Sequence, residues 1–178
     1  MSRVPRALSS SSSWGYDLRQ DLGGSFTARA RSLSAAEFVL LDPDGEEFGR
    51  VRLNEASGVE FRFGGCLVVF EASGEHYWMV VDGEEVLAVG SKGWSGAELE
   101  ISCDDQSDEG RVSFLRNLAI ASPSDGETVL RLSRDLTGRR YDVLFSADDE
   151  CALLVAVFLL SHVVANRGRV YRIGGGMV

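Results

Sequence analysis

Asp148 to Asn166 reads DDECALLVAVFLLSHVVAN, and the fold turns on how that stretch is understood. From Cys151 to Ala165 no residue carries a full charge, and apolar side chains fall on every side of a helical projection. A helix that is apolar all round is buried, in a protein core or in a bilayer. Its ends are marked. Ser146-x-x-Asp149 resembles a capping box, and Asp148, Asp149 and Glu150 place negative charge at the positive end of the helix dipole. Asn166-Arg167-Gly168 supplies a cationic last turn and a glycine stop, which sets the expected helix at 149–166. The uncharged part would be about 22 Å long, against roughly 30 Å of bilayer hydrocarbon. It also contains Ser161 and His162. A buried core helix is the preferred reading, and an undersized membrane span is the competing one.

The chain before the helix supplies a wall to bury it against. Ser25–Arg31 alternates Phe26, Ala28 and Ala30 with Thr27, Arg29 and Arg31, the period of a half-buried strand. Glu37–Leu41 and Phe48–Leu53 flank Asp42-Pro43-Asp44-Gly45, whose proline and glycine suit a turn. Gly64-Gly65 and Asp82-Gly83 are two-residue hairpin signals between Val59–Phe63 and Cys66–Glu71, and between His76–Val81 and Glu85–Val89. Glu98–Cys103, Arg111–Leu115, Leu118–Ser122, Thr128–Arg134 and Tyr141–Phe145 continue the series. Asp104–Gly110 reads as an acidic loop. The expectation is a mainly β fold, a closed antiparallel β-barrel of about 11–12 strands enclosing the C-terminal helix. Residues 1–24, with their run from Ser9 to Ser13, read as a flexible leader without signal-peptide hydrophobicity, 25–167 as the domain, and 168–178 as a tail.

Composition narrows the function classes. The net charge of −9 argues against a general nucleic-acid binder. The charge is uneven: residues 1–110 carry a net −11 and residues 111–178 a net +2, so an anion-binding face is expected in the C-terminal third. Nearly all the bases are arginine, with Lys92 alone, a composition of GC-rich bacterial genomes. Cys66, Cys103 and Cys151 have no metal-ligand spacing, and an odd number without a framework points to a reducing cytosol. Cys66 and Cys151 accordingly read as buried thiols.

Antiparallel hairpins followed by one apolar C-terminal helix resemble the tubby C-terminal-like superfamily, with its LURP-one-related proteins and phospholipid scramblases. The resemblance rests on FVLLDPDGEEFGRVR (Phe38–Arg52), the run Cys66–Val89 and LSRDLTGRRYDVLFSADDECALLVAVFLLSHVV (Leu132–Val164), and covers about residues 25–167. It implies a barrel of about twelve strands around a central helix. It also implies recognition of phosphoinositides by a basic cluster, for which Arg131, Arg134, Arg139 and Arg140 are the candidates. Four arginines that close can hold a phosphate through paired hydrogen bonds. The bland reading is a solvated strand face balanced by Asp135 and Asp142. The scramblases' proline-rich and cysteine-rich segments have no counterpart here.

No catalytic constellation is visible. His162 lies on the apolar helix and reads as a core residue, and His76 has no nucleophile beside it. The acidic stretches lack the order of a calcium loop, and no metal or cofactor is expected. Gly90–Gly96 lacks phosphate-loop spacing, but its Trp94, near Lys92, is a candidate for contact with a partner or a membrane surface. The leading expectation is a non-enzymatic binding module for an anionic lipid headgroup or a protein, cytoplasmic or peripheral to a membrane. The alternatives are a membrane-associated protein with the helix in the bilayer, and an enzyme with a dispersed site.

Overall fold

The computed structural model describes residues 13–32, 36–54, 58–63, 66–73, 76–81, 84–92, 97–103, 106–113, 118–123, 126–149 and 151–174. The chain is mainly β, with one long helix at its C-terminal end. A short helix, α1 (Ser13–Leu22), leads into twelve strands. These are β1 (Ser25–Ala30), β2 (Glu37–Leu41), β3 (Glu47–Asn54), β4 (Gly58–Phe63), β5 (Cys66–Ser73) and β6 (His76–Val81). They continue as β7 (Glu84–Ser91), β8 (Glu98–Cys103), β9 (Gln106–Ser113), β10 (Leu118–Pro123), β11 (Leu130–Arg134) and β12 (Arg140–Phe145), before α2 (Ala152–Gly174). Each strand pairs antiparallel with the next in sequence, and β1 also pairs with β12, Phe26 lying opposite Val143 and Ala28 opposite Tyr141.

Period-two burial separates the two faces of the sheet. Phe26, Ala28, Phe38, Leu40, Leu99, Ile101, Leu130, Leu132, Tyr141 and Val143 are all buried on one face. Phe38 and Tyr141 meet edge-on with ring centroids 5.5 Å apart. The helix fills the space these residues bound. Val155 to Leu160 are buried without interruption, as are Val163 and Val164. A helix with one wet face would expose every third or fourth residue, so this burial requires protein on all sides. α2 packs against β10, β11 and β12, and also against β4, far from them in strand order.

The helix start is built by one side chain. The Asp149 carboxylate accepts the N–H groups of Cys151 at 2.8 Å and Ala152 at 3.2 Å, satisfying donors that the first turn leaves unpaired. The cap is thus Asp149 itself, rather than Ser146. The far end departs from expectation, since α2 continues through Gly168 to Gly174. A glycine inside a helix costs about 1 kcal/mol relative to alanine, which is a penalty and not a stop.

Three other expectations are corrected. The leader is helical over 13–22, and Leu22 is buried in the core. Its exit needs Gly24, at φ +87°, where a Cβ would stand 2.8 Å from the Phe145 carbonyl oxygen. The acidic loop is mostly strand: Gln106–Ser113 is β9, with Asp108, Gly110 and Val112 turned to the buried face. Last, Cys151 is not a thiol. It forms a disulfide with Cys103, both sulfur-bearing residues being buried. With two of the three cysteines paired, the cysteine count no longer points to a reducing compartment. The side chain of Cys66 lies outside the described residues.

Asp108 is 4% exposed, and burial, reinforced by the charge of Asp149, pushes its carboxyl above the ordinary range. A raised carboxyl binds more protons in the folded than in the unfolded state. Stability therefore falls as pH rises from the unfolded value, about 3.9, through the folded one, and the deficit persists at neutral pH. Asp108→Asn is expected to melt a few degrees higher than the wild type at pH 7 and to show no difference at pH 3. Thermal melts at the two pH values check this.

Candidate anion-binding face

The face of the sheet turned away from α2 gathers arginines from distant parts of the chain. Residues directly opposite in an antiparallel ladder share a face. Arg62 on β4 is opposite Arg50 on β3, Arg50 is opposite Val39 on β2, Val39 is opposite Arg29 on β1, and Arg29 is opposite Arg140 on β12. The result is a lateral row, Arg62–Arg50–Val39–Arg29–Arg140, with all four arginines exposed. At about 4.8 Å per strand it is some 19 Å long.

A second tier lies beside it. Arg31, Arg50 and Arg52 converge on the single carboxylate of Glu37, at 3.6, 3.7 and 3.9 Å. Arg50 also contacts Glu47. Hydrogen bonding and charge from Arg50 hold the Glu47 carboxyl below its ordinary value, against a smaller opposing effect of burial. Asp142 on β12 accepts from the Arg140 Nε at 3.0 Å and Nη2 at 2.9 Å, and from the Thr27 hydroxyl at 3.0 Å. Six arginines (29, 31, 50, 52, 62 and 140) thus share a face with the carboxylates of Glu37, Glu47 and Asp142 among the described side chains, a local excess of positive charge on a chain of net −9. Exposed ion pairs of this kind contribute little to stability, typically below about 1 kcal/mol each, so their guanidinium groups can exchange partners cheaply.

The turn before β12 fixes where the row ends. Gly138 takes φ +67°, and the Asp135 carboxylate accepts the N–H groups of Arg139 at 2.9 Å and Arg140 at 3.1 Å as well as the Thr137 hydroxyl. Burial works against the charge of Asp135, but these hydrogen bonds outweigh it and hold the carboxyl below its ordinary value. Asp135 is therefore engaged with backbone rather than neutralising arginines. The turn also presents Leu136, which is 94% exposed.

The four arginines grouped by sequence separate in space. Arg140 joins the row and exposed Arg139 stands at its edge. Arg131 is exposed on β11 but opposite Leu144, four residues along β12 from Arg140. Arg134 is opposite Tyr141 and half-buried on the side of Leu130 and Leu132, with its Nε shielded from solvent. Arg29, Arg31, Arg50, Arg52 and Arg62 were not singled out from the sequence. The available signal was arginine at alternate positions of two predicted strands and a single arginine, Arg62, in a third, but only the ladder register shows that they line up. Lys92 is exposed and paired with Glu109 at 3.1 Å. Trp94 lies outside the described residues, as does the side chain of His76. His162 is buried and stacked on Phe158, with centroids 5.7 Å apart. Among the described residues no cluster of His, Cys, Asp or Glu could hold a metal ion, and no helix is long and apolar enough to cross a membrane.

No protein family's sequence profile matches the chain, and no curated protein matches it. Among solved structures, the X-ray structure of AT5G01750, a protein from Arabidopsis thaliana, is similar, with a TM-score of 0.55 at 13% identity. The match covers 79% of this chain and 91% of the plant protein. At that identity the likeness concerns the fold.

Proposed function

We propose that this chain is a non-enzymatic binding module of tubby-like architecture, a closed barrel with α2 as its core, that recognises anionic groups through the outer arginine row. The architectural part draws support from the pairing of β1 with both β12 and β2, and from the packing of α2 against β4 as well as β10–β12. With the interior occupied by side chains, recognition falls to the outer surface. The observation that carries the functional part is the run of four exposed arginines across β4, β3, β1 and β12, whose planar forks suit phosphate or carboxylate oxygens. The ligand that fits is a multiply charged anion, with a lipid headgroup at a membrane surface as the favoured source. The continuous burial of Val155–Leu160 weighs against the alternative in which the helix enters the bilayer.

Flotation of the purified protein with phosphatidylcholine vesicles, and with vesicles containing anionic lipid, tests this at low and high salt. Binding to the anionic vesicles alone, weakened by salt, is the expected result. No binding to either at low salt would remove the lipid headgroup as the ligand.

A further inference from the structure

The end of the molecule at which α2 begins has a construction of its own. β8 runs toward that end and finishes at Cys103, β9 leaves it carrying Asp108, and β12 arrives there before the turn to α2. Cys151 occupies the position just before the helix, and its disulfide to Cys103 joins the helix start to β8 across a separation of 48 residues. The main packing of α2 is on β10–β12 and β4, so the bond ties the helix to a further strand. It also acts where non-covalent forces are divided. Asp149 favours the helix start by accepting the N–H groups of Cys151 and Ala152. Yet buried Asp108 and Asp149 interact unfavourably when both are ionised.

We propose that the Cys103–Cys151 disulfide is a redox latch on the core helix. Oxidised, it fixes the start of α2 to the end of β8. Reduced, that start is held only by the Asp149 cap and apolar packing. Opening the latch requires an external dithiol. Its thiolate attacks one sulfur of the bond, the other cysteine leaves as a thiolate, and the reductant's second thiol completes the exchange. The protein gains two S–H groups, and the dithiol leaves as its own disulfide, so two electrons and two protons are transferred. Cys103 is 2% and Cys151 3% exposed, so attack must await local opening of this end and is slow beside reduction of a surface disulfide. The arginine row draws on other strands and the latch does not touch it, so this inference stands independently of the proposed ligand.

Thiol counting and melting test the latch together. Protein purified without reductant is denatured and alkylated before and after dithiothreitol, with peptide mapping. It is also melted with and without dithiothreitol, alongside Cys66→Ser and the double variant Cys103→Ser/Cys151→Ser. One free thiol, at Cys66, is expected before reduction and three after. Closing a loop of this length corresponds to a fall in Tm of about 10 °C on reduction, in the wild type and in Cys66→Ser alike. The double variant should melt near the reduced value and ignore dithiothreitol. Should it fail to fold, the wild-type and Cys66→Ser melts decide. Three free thiols before reduction, a bond involving Cys66, or an unchanged Tm after complete reduction would each overturn the latch.

Discussion

Val157→Asp is expected to abolish folding. Val157 is 3% exposed in the middle of α2, between the buried Ala156 and Phe158. A carboxylate there must be ionised without a partner, which costs several kcal/mol, or be protonated at neutral pH at a comparable penalty. Lost apolar burial adds roughly 1.5–3 kcal/mol. Domains of this size have only about 5–15 kcal/mol to lose. The variant should be insoluble, or show no cooperative melt by circular dichroism. Leu154→Asp should be milder, because Leu154 is only partly buried. From the sequence the two positions are indistinguishable, since both sit in the same uncharged run. A wild-type-like melt of Val157→Asp would mean that the helix is not the core.

Reversing two neighbouring arginines should separate binding from stability. Arg29→Glu with Arg140→Glu changes the β1–β12 end of the row by four charge units. An arginine close to an anionic surface contributes about 1 kcal/mol, so loss and reversal at two positions should weaken binding to anionic vesicles on the order of 100-fold or more at low salt. Folding should be nearly unaffected, within about 1 kcal/mol, because both side chains are exposed and the Arg140–Asp142 pair is solvated. Arg131→Glu is the internal comparison. It also lies on the outer face, but opposite Leu144 and away from the row, so its effect should be several-fold at most. Equal losses in the two variants would point to diffuse net charge rather than to the row.

What was legible in the sequence followed from strong periodicity and strong punctuation. The apolar run of α2 admits no surface helix, and Asp-Gly and Pro-Asp-Gly turns mark strand ends that the structure places within a residue or two. The failures share a physical cause, which is that the sequence shows neighbours along the chain and not across it. Arg131, Arg134, Arg139 and Arg140 are close in sequence, yet pairing of β1 with β12 and β2 puts Arg140 beside Arg29 instead. Only the end of β9 is legible, as part of the strand read at Arg111–Leu115; its first half was hidden because one inward position is Asp108 and another is Gly110, so its alternation does not register as apolar against polar. The Cys103–Cys151 bond joins residues 48 apart, and three cysteines allow three pairings with nothing in their spacing to choose among them. α1 lies between serines and glycines that read as a linker, and the spacing of Leu18 and Leu22 is too short a signal to mark a buried side.

The central claim is that α2 is a permanent core, which leaves recognition to the arginine-bearing outer face. Hydrogen exchange of the α2 amides, measured with and without anionic vesicles, tests it most directly. Residues 155–164 are expected to be among the slowest to exchange, opening only with global unfolding, and vesicles are expected to leave them unchanged while protecting β1, β3 and β12. Loss of α2 protection when vesicles are added would contradict it, because the helix would then be leaving the sheet to meet the bilayer.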